Sequence, residues 1–318
     1  MNIKKDNLEY RPYRDSDLNQ YKLFCERNFG KSNYQSNPKH IDWLRSNPTH
    51  FFNIVENNNS ILGCFHGFQA PVKIDDQINY FYSLHDLMVD KDHRSGIGLK
   101  LMQKSIFQTR PVILSGAEGR ISRAYKRIGS TKFESQWYRK FILPKYIFNY
   151  YLMSFERICF LQSKSKLKIF NNKEINSKIF IEEGLALYNY SSNEEEYFHW
   201  RFFDNSSPLT FFMIEDNNII IFSIGYRKIP FMRIFSVHKT NDEVFRLMLK
   251  SIEKFASSIG ILLILYSITE NVIPPGDLKY KKYKKIPDSY FYSLKKYDFS
   301  NTFVNGFSTD TGFESYNF

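Results

Sequence analysis

The stretch "LMVDKDHRSGIGLKLM" (Leu87–Met102) decides how this chain is read. A strand-like run ends at Val89, a polar turn follows, and Gly96 and Gly98 precede the helical pattern of Leu99, Leu101 and Met102. Glycine admits positive φ and close backbone approach, so the segment is either a cradle for a phosphate or a plain turn. A helix start presents unpaired N–H groups and the positive end of its dipole. Gly96 and Gly98 place no Cβ between those groups and a pyrophosphate, and Arg94 and Lys100 would add charge. The plainer reading is a glycine turn with solvated basic residues. The neighbouring elements decide between them.

Upstream, "LEYRPYRDSDLNQYKLFCERNFG" (8–30) begins as a strand. Asp15 or Ser16 can then cap a helix whose apolar residues Leu18, Tyr21, Phe24 and Cys25 recur at helical spacing, closed by Gly30. "NPKHIDWLRSNP" (37–48) reads as a second, short helix. "FFNIVENNN", "SILGCFHGFQAPVKIDD" and "INYFYSLHDLMVD" are three strands joined by polar turns. Downstream come the helix that opens at the glycines, a strand in "PVILSGAE", a helix in "RISRAYKRIG" ended by Gly129, and a strand over "KFESQWYRKFIL" (132–143). The first half is thus a mixed α/β sheet with its best anion site at one strand-to-helix junction.

The second half repeats this order faintly. A link over 144–175, with a helix of its own, leads to "SNEEEYFHWRFFDN", which reads as a helix whose first turn is acidic. Three strands, a helix over Asp242–Ser258 and the strand "GILLILYSIT" follow, and no glycine loop precedes that helix. The expected organisation is two tandem domains, 1–143 and 176–318, with the anion site in the first alone.

Forty-four Lys and Arg against thirty-three Asp and Glu leave a net charge of +11 in 318 residues. That balance favours an anionic partner: nucleic acid, a membrane surface or a phosphorylated small molecule. The densest basic run, "KYKKYKK" (279–285), lies between "NVIPPGD" and the strand-like "SYFYSLKKY", as an exposed connection would. Cys25, Cys64 and Cys159 form no metal-binding or redox spacing, so neither a metal nor a disulfide is expected. The two most apolar stretches are interrupted, one by Glu156 and Arg157, the other by Arg227, Lys228 and Pro230, and neither should span a bilayer. With no apolar leader, a cytoplasmic, reduced setting is expected. The oligomeric state is open; a homodimer is the commonest closed assembly.

"LMVDKDHRSGIGLKLMQ" resembles the acyl-CoA loop of the GNAT superfamily of N-acyltransferases, whose pattern is Arg/Gln-x-x-Gly-x-Gly/Ala after a strand. His93 stands at the strict Arg/Gln position and the arginine comes one residue later, as Arg94; a turn shorter by one residue accounts for this. "AEGRISRAYKRIGSTKF" resembles the later helix of that family, which ends in Tyr-x-x-x-Gly. The resemblance implies a mixed, mostly antiparallel sheet of GNAT type and acyl-CoA as co-substrate. It also implies that the backbone of Leu87, Met88 and Val89 pairs with the pantetheine arm. The amides of Arg94, Ser95, Gly96, Ile97, Gly98 and Leu99 would hold the pyrophosphate, with Lys100 beside them. Tyr125 would protonate the departing thiolate, unless it is simply a packed core tyrosine.

An amine nucleophile must lose a proton, so a base is useful. His85 and Asp86 stand at the strand end nearest the implied thioester, and regular alternation would send them to opposite faces. Glu118 and His66 are weaker candidates. The tandem arrangement, with His199, Trp200, Arg201, Asp298 and Asp310, resembles bacterial two-part proteins that N-acylate amino sugars carried on nucleotides. It implies an acceptor in the cleft between the halves, contacted by residues such as Trp200, Arg201 and Asp310; the plain reading is that Trp200 packs in the second core and Arg201 pairs with a glutamate. The rival readings are a tRNA-dependent aminoacyl transferase of the peptidoglycan-bridge type, and a non-catalytic protein that binds CoA or nucleic acid. The former often carries a long coiled-coil arm and lacks the CoA loop.

Overall fold

Each of the two sheets contains a hairpin that turns on residues tolerating positive φ. Asn58 and Asn59 (φ 48° and 59°) join β2 (Phe51–Asn57) to β3 (Ser60–Ile74). Asp216 and Asn217 (φ 44° and 60°) join β9 (Phe211–Glu215) to β10 (Asn218–Arg227) in the same way. Two-residue loops with φ above zero at both positions match the twist of the strands they link, and Asn and Asp are the non-glycine residues best suited to them. The computed structural model describes residues 8–31, 34–74, 77–93, 96–105, 111–117, 119–133, 136–143, 169–173, 194–204, 207, 209–227, 229–268, 272–283, 288–293 and 302–303.

In the first half, β1 (Glu9–Pro12) precedes α1 (Leu18–Phe29) and α2 (Pro38–Ser46). The Asn37 side chain accepts from the Lys39 N–H and Pro38 occupies the first turn, which fixes where α2 starts. After β2 and β3 come β4 (Gln77–Val89), α3 (Ile97–Ser105), β5 (Val112–Ala117), α4 (Arg120–Arg127) and β6 (Thr131–Phe133). In the second, β8 (Ile169–Asn171) and a short α5 (Glu195–Phe198) precede β9, β10 and β11 (Ile229–His238). Then follow α6 (Asp242–Ser258), β12 (Leu263–Ile268) and β13 (Lys281–Lys282).

Two strands are exchanged. β14 (Asp288–Tyr292), late in the chain, lies between β5 and β6, so the first sheet runs β1-β2-β3-β4-β5-β14-β6. β7 (Gln136–Phe141), which follows β6 in sequence, lies between β12 and β13, so the second runs β8-β9-β10-β11-β12-β7-β13. The strand orders are the same, and in each the central pair, β4 with β5 or β11 with β12, is parallel among antiparallel neighbours. The chain accordingly divides into one unit of Met1–Glu134 with Pro287–Thr302 and another of Ser135–Ile286 with Phe303–Phe318.

The mixed, mostly antiparallel sheets and their tandem order are as expected. The single strand expected over 132–143 is instead two, and the second leaves for the other sheet; a hydrophobic pattern tells that a strand exists, not which sheet receives it. Among the described residues of the helix expected over 192–205, Glu195–Phe198 is α-helical and His199–Phe203 widens to a π turn, where the Asp204 N–H reaches the His199 carbonyl at 3.0 Å. The expected link helix falls within 144–168, outside the described residues. In the second unit α6 lays Phe245, Met248, Leu249, Ile252, Phe255 and Ala256 on the sheet as its core. Among the described residues no helix is long and apolar enough to cross a membrane.

Candidate active site

The site begins with a defect in β4. Opposite β3, His85 pairs with His66 and Met88 with Cys64, so Asp86 and Leu87 together face Phe65 alone. This is a β-bulge, and Asp86 takes φ +45° to make it. Along its other edge β4 pairs with β5 only from Tyr82 to Leu84, opposite Val112 to Leu114. Beyond Leu84 that edge of β4 has no strand partner among the described residues, leaving the backbone of Asp86 to Val89 open to an extended ligand. Gly63 lets β3 approach this segment closely, since a Cβ there would lie 2.9 Å from the Met88 carbonyl oxygen. The Cys64 thiol adds a contact at 3.6 Å to the Asp86 carbonyl.

From Val89 the chain enters a 3-10 turn, Lys91–His93. Asp90 organises it: the carboxylate accepts from the Asp92 N–H at 3.1 Å and from Arg27 at 3.3 Å, and His93 Nδ1 stands 3.6 Å away. His93, which occupies the position of the motif arginine, therefore closes the turn. Arg94 and Ser95 lie outside the described residues. Gly96 follows at φ +87°, exposed, and its carbonyl accepts the first bond of α3 from the Lys100 N–H. Ile97, Leu101 and Met102 are buried, while Leu99 and Lys100 are exposed. No acidic residue stands in the first turn of α3. The Lys100 and Lys104 ammonium groups lie 5.4 and 4.7 Å from the centre of the Tyr10 ring.

The equivalent junction in the second unit has lost this character. β11 repeats the bulge at Phe235, between the pairs Ile221–Ser236 and Phe222–Ile234, but Phe235 is buried. The start of α6 is already satisfied, because the Asn241 side chain accepts from the N–H groups of Glu243 and Val244 at 2.9 and 3.1 Å. Asp242 and Glu243 in its first turn would repel an anion.

Asp86 and His85 do not alternate as expected, because the bulge interrupts the period of two. Asp86 turns toward His66, whose Nε2 lies 3.2 Å from Oδ2, and Gln35 donates to Oδ1 at 3.4 Å. Burial alone would raise the Asp86 carboxyl. The hydrogen bond and charge of His66, the charge of His40 and the Gln35 amide outweigh it, so the group sits below the usual carboxylate range and is ionised. His85 is buried, stacked on Phe68 at 4.6 Å with its ring centre 6.0 Å from that of His66. His66, a weaker candidate from sequence, is thus the direct partner of Asp86. The signal that finds it is strand register.

Tyr125 is buried in the first core with Tyr82, Leu84, Leu101 and Leu114, edge-on to Tyr290 of β14 at 5.7 Å. Tyr290 shares a 2.5 Å hydrogen bond with Ser122, one turn earlier on α4. Burial pushes the Tyr125 phenol up, so it keeps its proton, and its hydroxyl has no hydrogen-bond partner among the described residues. Trp200 and Arg201 are buried: Trp200 lies 5.6 Å from Tyr197, and the Arg201 guanidinium stands over Phe202 and Phe235. Both belong to the packing of the second unit, and it is His199 beside them that is exposed. Glu118, Asp298 and Asp310 lie outside the described residues. No group of three His, Cys, Asp or Glu arranged to hold a metal ion occurs among the described residues.

Two mixed sheets of one strand order, each built on a parallel central pair with a bulge, are the GNAT-type fold in tandem. N-myristoyltransferase of Saccharomyces cerevisiae, solved with bound myristoyl-CoA, is similar over 97% of this chain and 86% of its own, with a TM-score of 0.60 and 9% identity. A GCN5-related N-acetyltransferase of Kribbella flavida is similar over 91% and 72%, with a TM-score of 0.55 and 10% identity. A conserved protein of Enterococcus faecalis V583 is similar over 89% and 71%, with a TM-score of 0.55 and 9% identity. No protein-family model matches the sequence, and comparison with curated proteins finds no match.

Proposed function

We propose that this chain is a CoA-dependent N-acyltransferase whose first unit holds acyl-CoA and whose acceptor is the amine of a nucleotide-linked amino sugar. One observation carries the reading: the bulged end of β4, without a strand partner beyond Leu84 among the described residues, leads to a helix whose first turn holds no acid, while the matching helix start in the second unit is capped by Asn241 and carries Asp242 and Glu243. The backbone of Leu87, Met88 and Val89 pairs with the pantetheine amides. The N–H groups from Arg94 to Leu99 hold the pyrophosphate, with Lys100 adding charge. Asp86, ionised at the bulge, receives the acceptor ammonium. Tyr125, whose phenol keeps its proton, supplies one to the departing thiolate.

An amino sugar on a nucleotide, such as a dTDP-linked amino-dideoxyhexose, fits the net charge of +11, since both substrates are then polyanions. The setting would be cytoplasmic synthesis of a surface polysaccharide, with acetyl or a short hydroxyacyl group transferred. The test is incubation with acetyl-CoA or 3-hydroxybutanoyl-CoA and a panel of amino sugar nucleotides, following free thiol and product mass. Thiol release that requires the amine is expected. No release with any acceptor, together with nucleic-acid binding that weakens steeply with salt, would overturn the reading. Tyr125→Phe should lower kcat by about a hundredfold and leave the CoA affinity unchanged; an unaltered kcat removes Tyr125 from the chemistry.

A further inference from the structure

Acyl transfer to an ammonium leaves a proton behind. The substrate nitrogen enters with three hydrogens and ends as an amide with one; the thiolate takes one of the two protons lost, and the other must reach water. His66 uses one ring nitrogen, Nε2, on Asp86 at 3.2 Å. Its other nitrogen, Nδ1, is buried and has no hydrogen-bond partner among the described residues, in a side chain only 2% exposed. The His50 ring stands next to it, 5.6 Å centre to centre and inclined at 65°. His50 Nε2 is likewise buried without a partner among the described residues, while the residue as a whole is partly exposed. Two such nitrogens on adjacent rings cost stability if the pair serves packing alone.

We propose that Asp86, His66 and His50 form a proton path from the acyl-transfer site to solvent, a proposal that rests on the N-acyltransferase reading above. As the acceptor nitrogen binds at Asp86, one proton passes to the Asp86–His66 pair, and the freed lone pair attacks the thioester carbon. The C–N bond forms and the C–S bond breaks. The second nitrogen proton goes to sulfur through the Tyr125 hydroxyl, which gives one proton and regains one. His66 passes the first proton from Nδ1 to His50, whose exposed part releases it. Asp86 is the residue that touches substrate; His66 and His50 act through it. The other charged or titratable groups around the path are His40 and Arg45 of α2, Tyr21 and Cys25 of α1, Cys64 of β3 and His85 of β4. Burial first, then the positive charge of His66, His40 and Arg45, keeps His50 well below the usual histidine range, so a proton arriving there moves on.

The first test needs no substrate: titration of the histidine ring signals by NMR in the full-length protein. His66→Gln should raise the titration midpoint of His50, which loses the charge beside it, and His66→Asn should do the same, which keeps the test open should one variant fail to fold. Midpoints that ignore the neighbouring substitution overturn the path whether or not the acceptor assignment holds. The second test uses whichever amine supports thiol release. His50→Gln should lower kcat about tenfold in dilute buffer, leave KM for acyl-CoA unchanged, and recover in concentrated imidazole buffer. A kcat that is unchanged, or lowered without buffer rescue, overturns it.

Discussion

Arg11 shows how a single residue ties the start of the chain to the first sheet. Its guanidinium donates to both Asp17 carboxylate oxygens at 2.7 and 2.9 Å and to Glu56 at 2.6 Å, with all three side chains largely buried. The Arg11 hydrogen bond, opposed by burial and helped by the Arg14 N–H, holds the Asp17 carboxyl below its usual range. A depressed folded pKa gives stability that is present above the unfolded value, about 3.9, and lost as pH falls through the folded one. Urea midpoints measured from neutral pH downward should therefore drop below about pH 4 in the wild type and flatten in Asp17→Asn. At neutral pH that variant should be less stable by about 2–4 kcal/mol, because it leaves a buried guanidinium half-paired; equal midpoints at all pH values would refute the account. Gly96 is the opposite case, a residue held by conformation alone. At φ +87° with nothing within 4 Å of an added Cβ, Gly96→Ala meets no crowding and costs only backbone strain. That strain, about 1–2 kcal/mol, is relieved by moving the turn, so calorimetric CoA affinity should fall about tenfold. An unaltered Kd would take Gly96 out of the cradle.

Comparison of α3 with α6 separates what a helix start does for stability from what it does for a ligand. Asn241 satisfies two N–H groups of α6, and Asn241→Ala should lower stability by about 1 kcal/mol, read as a shift in the urea midpoint with unchanged CoA binding. A loss of CoA binding in that variant would mean that the second unit also carries an anion site. These two helices are also where the sequence was most legible. Helical spacing and polar flanks place α6 at Asp242–Ser258, and Gly96 marks the start of α3, because caps and turns are made by residues close together in the chain. The bulge in β4 was not legible. "SLHDLMV" reads as regular alternation, and only pairing with Cys64 and His66 reveals that Asp86 and Leu87 share one position. The role of His66 is hidden in the sequence for the same reason, since its partner lies twenty residues away and on the next strand. The π turn at His199–Phe203 was hidden too, because five aromatic, basic and imidazole side chains in a row carry no helical period.

The exchange of β7 and β14 binds the folding of each unit to the distant half of the chain. Tyr290 and Phe291 of β14 are 0% and 1% exposed in the first unit, Tyr290 against Tyr125 and Phe291 against Phe81 at 5.5 Å. Removing two such aromatics costs about 3–5 kcal/mol each. The sum is comparable with the whole stability of a domain, about 5–15 kcal/mol, and the β5 edge would also lose its strand partner. Residues 1–143 expressed alone should therefore give no cooperative urea transition, although they contain the glycine loop and Tyr125. Residues 1–134 joined through a flexible linker to 287–302 restore β14 and omit β7, and should show a single transition and bind CoA. The two fragments differ in a way that composition does not anticipate, since the first keeps an intact stretch of sequence and the second breaks it. A cooperative transition in 1–143 would mean that β14 stabilises the first sheet less than its burial implies. Failure of the joined fragment, with 1–143 also unfolded, would mean that the first unit needs more of the chain than β14.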